Sequence, residues 1–227
     1  MKKAIPGYSG TLRDHVLSVP DTIYECSGIL IFGRRIKSLV FSTDVAIIKN
    51  INTDAVIAVY PFTPQPSISN AIISVSDVPV FVGVGGGVTG GERAVRMAVE
   101  AEHQGAFGVV VNAPIDPAVI TRMKEQLEIP VIATIVSEKQ DIDERVRAGA
   151  DMLNVSAAAQ TPQVVAYIRQ RYPDIPIIAT GGPTRESILA TIQAGANAIT
   201  YTPPTNGELF ARSMQAYRER YLDQVTV

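Results

Sequence analysis

"IPIIATGGPTRESILATIQAGANAITYTPP", Ile175 to Pro204, decides the fold. It reads as an apolar strand, a glycine pair, an amphipathic helix, a "GA" turn and a second apolar strand stopped by two prolines. Its pieces recur upstream. An acidic residue, an aliphatic residue, a proline and a strand appear as "DVPVFVGVGGG", "EIPVIATIVS" and "DIPIIATGG", with Pro79, Pro130 and Pro176 spaced 51 and then 46. A helix end, "GA" and a strand appear as "HQGAFGVVVN", "RAGADMLNVSA" and "QAGANAITYT", with Gly105, Gly149 and Gly195 spaced 44 and then 46. Glycine just past a helix is the usual left-handed cap. Proline at the first residue of a strand forfeits no interior ladder bond.

The two phrases alternate, so a strand-helix unit recurs about every 23 residues and accounts for six strands. Two more precede them: "SLVFSTD" (Ser38 to Asp44) leads into "VAIIKNI", and "AVIAVYPF" (Ala55 to Phe62) leads into "QPSISNAIISVSD". Eight βα units and a final helix, "GELFARSMQAYRERYL", predict an α/β protein with a (β/α)8 barrel, and a doubly wound open sheet is the alternative. The expected organisation is a single domain over residues 1–227, with the eight units in 38–227 and an N-terminal extension in 1–37. Within the extension, "TLRDHVLSVP" suggests a helix. "GILIFGRRIKSLVF" suggests a hairpin turning at Gly33-Arg34, and we expect the segment to plug the bottom of the barrel.

Composition agrees. Of 227 residues 46% are hydrophobic and 19% charged, mean hydropathy is +0.17, aromatics are 6% and Trp is absent. The apolar mass is Val, Ile and Ala, which suits parallel strands buried on both faces. A formal net charge of −2 gives no electrostatic footprint for nucleic acid or anionic membranes. The single cysteine, Cys26, excludes an internal disulfide framework and a multi-cysteine metal site. No apolar run reaches membrane-spanning length, and "MKKAIPGYSG" lacks the apolar core of a signal peptide. The expectation is a cytoplasmic protein with a small anionic metabolite as partner, no nucleic acid or membrane partner, and self-association left open.

In this fold the site lies at the carboxyl ends of the strands. Side chains alternate along each strand between the barrel interior and the helix layer, so polar residues near strand ends are informative. Taken in order they are Ser42 and Asp44, Tyr60, the run Gly85-Gly86-Gly87, Asn112, Thr134, Asn154 and Ser156, Thr180, then Thr200 and Thr202. After the seventh strand, Gly181 and Gly182 precede a helix start at Thr184. Glycines let a backbone approach a ligand, and a helix N-terminus presents free N–H groups to an anion. A phosphate or other anion is therefore expected at Thr180, Gly181, Gly182 and Thr202. The alternative is a plain turn that needs glycine for its φ angles.

"GVGGGVTGGERA", Gly83 to Ala94, lacks both the dinucleotide-binding spacing and the lysine of a P-loop. It reads either as a flexible loop or as a backbone cradle in which Gly85 and Gly86 touch the ligand. Tyr60, in "VYPFTPQP", either flanks a ligand or packs. Asp44 and Glu138 are the candidate proton-transfer groups, although "STDVAII" equally suits Asp44 as a helix N-cap. Asn112 and Asn154 suit hydroxyl or enediolate oxygens.

No lysine lies near a strand end, which disfavours Schiff-base chemistry. The two histidines, His15 and His103, lie away from the mouth, so no metal site is assigned. Mg²⁺ held by Asp44 and a ligand phosphate, and FMN at the glycine pair, stay open. The expected function is an enzyme acting on a phosphorylated or anionic metabolite, of isomerase, lyase or hydrolase type. The alternatives are a phosphometabolite sensor and an FMN-binding barrel.

The stretch "IIATGGPTRESILATIQAGANAITYT" resembles the last quarter of the ribulose-phosphate-binding barrels, which include thiamine phosphate synthase, thiazole synthase and N-acetylmannosamine-6-phosphate epimerase. That resemblance implies a phosphate beside Gly181 and Gly182. The sequence departs from the pattern at "TPPTNGELF", where Pro203 and Pro204 replace N–H donors with none. Over nearly its whole length the chain is similar to an uncharacterised bacterial barrel family known only by the label "hydrolase". The shared phrases are "TDVAIIKN", "AVYPFTPQP", "GVGGG", "LNVSAAA", "IIATGGPT" and "YTPPTNGE". The label implies no substrate and no catalytic residue.

Overall fold

The computed structural model describes residues 6–8, 10 and 17–225. Most of the helix expected in "TLRDHVLSVP", and His15 with it, lies outside the described residues. A hairpin of β1 (Ile29–Ile31) and β2 (Arg34–Ile36) comes first. Its turn is at Phe32-Gly33, one residue earlier than the sequence suggests, and both residues have positive φ. This is the two-residue geometry that matches strand twist.

Eight parallel strands then close into a barrel: β3 (Ser38–Phe41), β4 (Ala55–Ala58), β5 (Val80–Gly85), β6 (Gly108–Val111), β7 (Val131–Ile135), β8 (Met152–Val155), β9 (Ile177–Thr180) and β10 (Ala198–Tyr201). The last pairs with the first, β10 with β3. The helices between them are α1 (Val45–Lys49), α2 (Pro66–Val75), α3 (Gly91–His103), α4 (Pro117–Lys124), α5 (Ile142–Arg147), α6 (Thr161–Arg171) and α7 (Arg185–Gln193); α8 (Asn206–Val225) follows β10. The (β/α)8 barrel is confirmed. The first two barrel strands are shorter than the sequence suggests, ending at Phe41 and Ala58, so Asp44 and Tyr60 stand on loops.

The recurring phrases have physical roles. Gly105, Gly149 and Gly195 have φ of 94°, 102° and 111°. The alanine after each donates its N–H to the carbonyl five residues back, Ala106 to Ala101, Ala150 to Arg145 and Ala196 to Thr191. That is the Schellman end of a helix. Pro79, Pro130 and Pro176 lack an N–H but offer carbonyls that accept from Val56, Val109 and Leu153 in the neighbouring strands. Asp151 and Asn197, just before β8 and β10, accept from the N–H groups of Val131 and Ile177 and so fix strand register.

Two apolar layers result. Leu39, Ile57, Phe81, Ile132 and Ile178 fill the barrel interior, and Ile29, Ile31 and Ile36 of the hairpin pack onto them from the amino ends of the strands. Phe107 meets Phe32 and Phe81 edge to face, with centroids 5.2 and 5.9 Å away. The outer layer joins strands to helices. Residues 17–26 add Val19, Ile23 and Cys26 to it. Leu17 pairs with Ile51 after α1, and the 3-10 turn Asp21–Glu25 packs against α7. The extension therefore both closes the barrel floor and covers a stretch of its wall.

Candidate functional site

At the carboxyl ends of β6 to β10 a cavity of about 440 Å³ opens. Its floor and one wall are apolar, from Phe41, Ile57, Val59 and Val110. Ala113, Pro114 and Val136 extend the apolar lining, and the rest is a ring of neutral polar groups: Asn112, Thr134, Asn154, Ser156, Thr180, Thr200 and Thr202. Strand parity produces this ring. Ile178 and Ala198 point into the barrel, so Thr180 and Thr200, two residues on, point the same way.

Part of the ring is internally paired. Asn154 Nδ2 donates to Thr134 Oγ1 at 3.3 Å, and Thr180 Oγ1 donates to Ser156 Oγ at 3.4 Å. The Thr200 side chain is 6% exposed, and its Oγ1 is buried without a hydrogen-bond partner. A buried hydroxyl left unpaired costs on the order of 1–3 kcal/mol. The carboxamide of Asn112, which lines this cavity and the two beside it, is exposed and has no partner among the described residues.

Asp44 stands on an adjoining cavity of about 520 Å³ with Ser42, Thr202 and Pro203. Its Oδ1 caps α1, accepting from Ala46 N at 2.8 Å and Ile47 N at 3.3 Å. Its Oδ2 has no partner among the described residues. The two readings of Asp44 are thus compatible: one oxygen holds the helix and the other is available to the mouth. Glu138 is exposed in the loop after β7 and lines none of the mouth cavities.

The glycine positions have packing explanations. The Gly181 N–H donates to the Thr200 carbonyl at 3.3 Å, so it is already engaged. A Cβ there would lie 2.7 Å from Ile199 Cγ2 and 2.9 Å from Ile188 Cγ1. The start of α7 is occupied by its own side chains. Thr184 and Ser187 form a reciprocal capping box. The Glu186 carboxyl is held below its ordinary range, first by its own backbone N–H and then by the Thr184 hydroxyl. Gly86 brings β5 against β6: a Cβ on it would lie 2.5 Å from Asn112 N. The Gly85 carbonyl accepts that same N–H at 2.8 Å. Gly85 and Gly86 therefore position Asn112. The Tyr60 hydroxyl accepts from Gln65 N at 2.8 Å, which ties its ring to the start of α2 beside a cleft of about 430 Å³.

One group escaped the sequence reading. A cavity of about 500 Å³ between the ends of β9 and β10 is lined by Thr180, Gly182, Thr200, Thr202, Glu208 and Arg212. No carboxylate lies within ion-pair distance of Arg212 among the described residues. Glu208 accepts from Thr205 N at 2.8 Å and is held below its ordinary range by that bond first, by the Thr205 hydroxyl second and more weakly by the Arg212 charge. Arg212 sits four residues after Glu208, in the second turn of α8. The signal was a cation in the second turn after a mouth-facing N-terminus, on a helix read only as a terminal element.

No protein-family model matches the chain, and no curated protein matches it. Solved structures do. A 2,3-dimethylmalate lyase of the PEP mutase/isocitrate lyase superfamily superposes with a TM-score of 0.63 at 13% identity, covering 89% of this chain and 86% of that one. A phosphonopyruvate hydrolase in complex with oxalate and Mg²⁺ gives 0.58 at 14%, covering 83% and 82%. A mandelate oxidase carrying an FMN adduct gives 0.60 at 15%, covering 78% and 68%. At such identities the likeness shows the barrel fold, and three different chemistries on one fold leave the reaction to the site. A Mg²⁺ ion shared with a ligand phosphate would have Asp44, in the adjoining cavity, as its protein carboxylate. Among the described residues, no three His, Cys, Asp or Glu side chains gather, and the central cavity has no carboxylate at all.

Proposed function

We propose that the protein is an enzyme that binds a small anionic metabolite across the barrel mouth and moves a proton with Asp44. The anionic group sits between the ends of β9 and β10, against Arg212, the Gly182 N–H, Thr180 and Thr202. The rest of the molecule lies over the central cavity. Its carbon skeleton rests on Phe41, Ile57 and Val59, and its oxygens meet Asn112, Asn154 and Thr200. The unpartnered Thr200 hydroxyl carries this reading, because it lines both cavities and lacks an acceptor or donor that a bound ligand supplies. The phosphate place implied by the sequence is retained, but its donors change: a guanidinium stands in for the engaged Gly181 N–H.

The reaction class this supports is an isomerase, lyase or hydrolase step without a Schiff base. Asp44 Oδ2 exchanges the proton, and amide and hydroxyl groups hold the developing charge. A second reading, a metabolite sensor, is favoured by one observation: the central cavity has no ionisable side chain in its lining. FMN, carried by one of the structural matches, would use the same anion end and would colour the purified protein yellow.

Thermal melting at matched ionic strength tests the anion end. Phosphate raises the melting temperature of the wild type relative to chloride, and Arg212→Gln abolishes the increment. Equal melting in phosphate and chloride would remove the proposal. Asp44→Asn divides the two readings, since an enzyme loses turnover while a sensor keeps its ligand.

A further inference from the structure

The glycine-rich stretch after β5 is a formed turn. The Gly86 N–H donates to the Thr89 carbonyl at 2.8 Å. Gly85 and Gly86, with φ of 153° and 103°, bring the chain round, and a Cβ on Gly85 would lie 2.6 Å from the Thr89 carbonyl oxygen. The turn sends Val88 fully into solvent and sinks Thr89 to 4% exposure. Thr89 lines the cleft of about 430 Å³ between the ends of β4 and β5, and its hydroxyl has no partner among the described residues. Polar side chains this buried are normally hydrogen-bonded, so the partner is one that enters the cleft.

The opposite wall is apolar and stiff. The Tyr60 ring is fixed by the bond from Gln65 N, Pro61 and Pro64 limit the loop that carries it, and Phe62 stands exposed beside it. No Asp, Glu, Lys, Arg or His side chain lines the cleft among the described residues. The cleft runs into the central cavity, with Val59 and Asn112 common to both, and the central cavity shares Thr180, Thr200 and Thr202 with the anion end. In the closed strand order β5 stands four strands from β9 in either direction, so the cleft and the anion end face each other across the mouth. Eight strands ~4.8 Å apart and tilted about 36° make a ring roughly 15 Å across. An anion of three or four carbons held at Arg212 ends over the central cavity and leaves the cleft unfilled.

We propose that the substrate is an elongated organic anion, charged at one end only, whose far end is an uncharged planar ring seated in the cleft between β4 and β5. This rests on the anion end proposed above and names the class of molecule that it holds. The ring lies against Tyr60, Phe62 and Val88, where aromatic faces stack and the fixed side chain of Tyr60 loses little freedom. A polar atom on the ring's edge meets the Thr89 hydroxyl. The middle of the molecule carries the oxygens that meet Asn112, Asn154 and Thr200. The order of the mouth, from cation through neutral hydroxyls and amides to an uncharged apolar cleft, is the order of groups along the ligand.

Calorimetric titration of the full-length chain with inorganic phosphate, butyl phosphate and 4-phenylbutyl phosphate tests this. The phenylbutyl ester should bind at least ~10-fold tighter than the butyl ester, as expected for burying one more ring. That ratio should fall toward one in the double variant Phe62→Ala, Val88→Ser, which alters only exposed side chains. A hydroxyl at the para position of the ring should add about 3- to 10-fold in the wild type and nothing in Thr89→Val. If phosphate and both esters bind with equal affinity, the ring subsite is overturned and the anion end stands. If none of the three binds, the anion end fails and the inference falls with it. A preference for the phenyl ester that survives the double variant also overturns the subsite, because the ring is then held elsewhere.

Discussion

The Thr200 carbonyl accepts the Gly181 N–H at 3.3 Å, while the hydroxyl of the same threonine is buried and unpartnered. The bond closes the seam between β9 and β10. The free hydroxyl is where the mouth is incomplete. Replacing Thr200 by Val keeps the shape and removes the orphan group, so two opposite effects are expected. The unliganded protein gains on the order of 1 kcal/mol in denaturant unfolding, and phosphate-ester ligands bind less tightly in calorimetric titration. A stability loss with unchanged binding would mark Thr200 as a structural residue only.

Gly181 is expected to be intolerant for packing reasons. An alanine methyl would meet Ile199 and Ile188 inside 3 Å. Gly181→Ala should destabilise by about 1–3 kcal/mol in denaturant unfolding, the usual cost of overpacking. Because its N–H serves the sheet, anion affinity per folded molecule should change little. A variant of normal stability that no longer binds anions would restore Gly181 to the ligand.

Asp44 should show a split between its two oxygens. Asp44→Ala removes the cap on α1 and costs about 1 kcal/mol. Asp44→Asn keeps an acceptor for Ala46 and Ile47, so it melts close to the wild type while abolishing proton transfer. Equal destabilisation by both changes, with activity retained, would reduce Asp44 to its cap.

Cys26 predicts a pH dependence. Burial pushes its thiol up from 9.0 to about 11. Between those values the unfolded chain loses the proton and the folded chain keeps it. Its contribution to stability is therefore full below about pH 9 and is lost as pH rises through 11. Unfolding free energy should fall across that window in the wild type and fall less in Cys26→Ala. Native protein at pH 8 should react with iodoacetamide at least ~100-fold more slowly than denatured protein. Fast native alkylation would show that the segment 17–26 does not stay on the barrel wall.

The barrel was legible because its signals are local. The "GA" caps, the strand-opening prolines and the apolar runs each report a backbone constraint within a few residues. The ring of mouth residues followed from strand parity, which is why Asn112, Asn154, Thr180 and Thr202 lie together. What sequence could not supply was partner choice. Whether the Gly181 N–H faces a ligand or the Thr200 carbonyl depends on how two strands cross. Glu138 was the second candidate after Asp44, and of the two Asp44 alone lines a mouth cavity. Arg212 was invisible because its relevance depends on the direction in which α8 leaves the rim.

The most direct test of an anion end beside Arg212 is a crystal structure at millimolar phosphate and low sulfate. We expect a tetrahedral anion between the ends of β9 and β10, within hydrogen-bond distance of the Arg212 guanidinium and the Thr202 hydroxyl, and absent from Arg212→Gln crystals. Ordered water alone at that place, or an anion bound equally in both proteins, would contradict it.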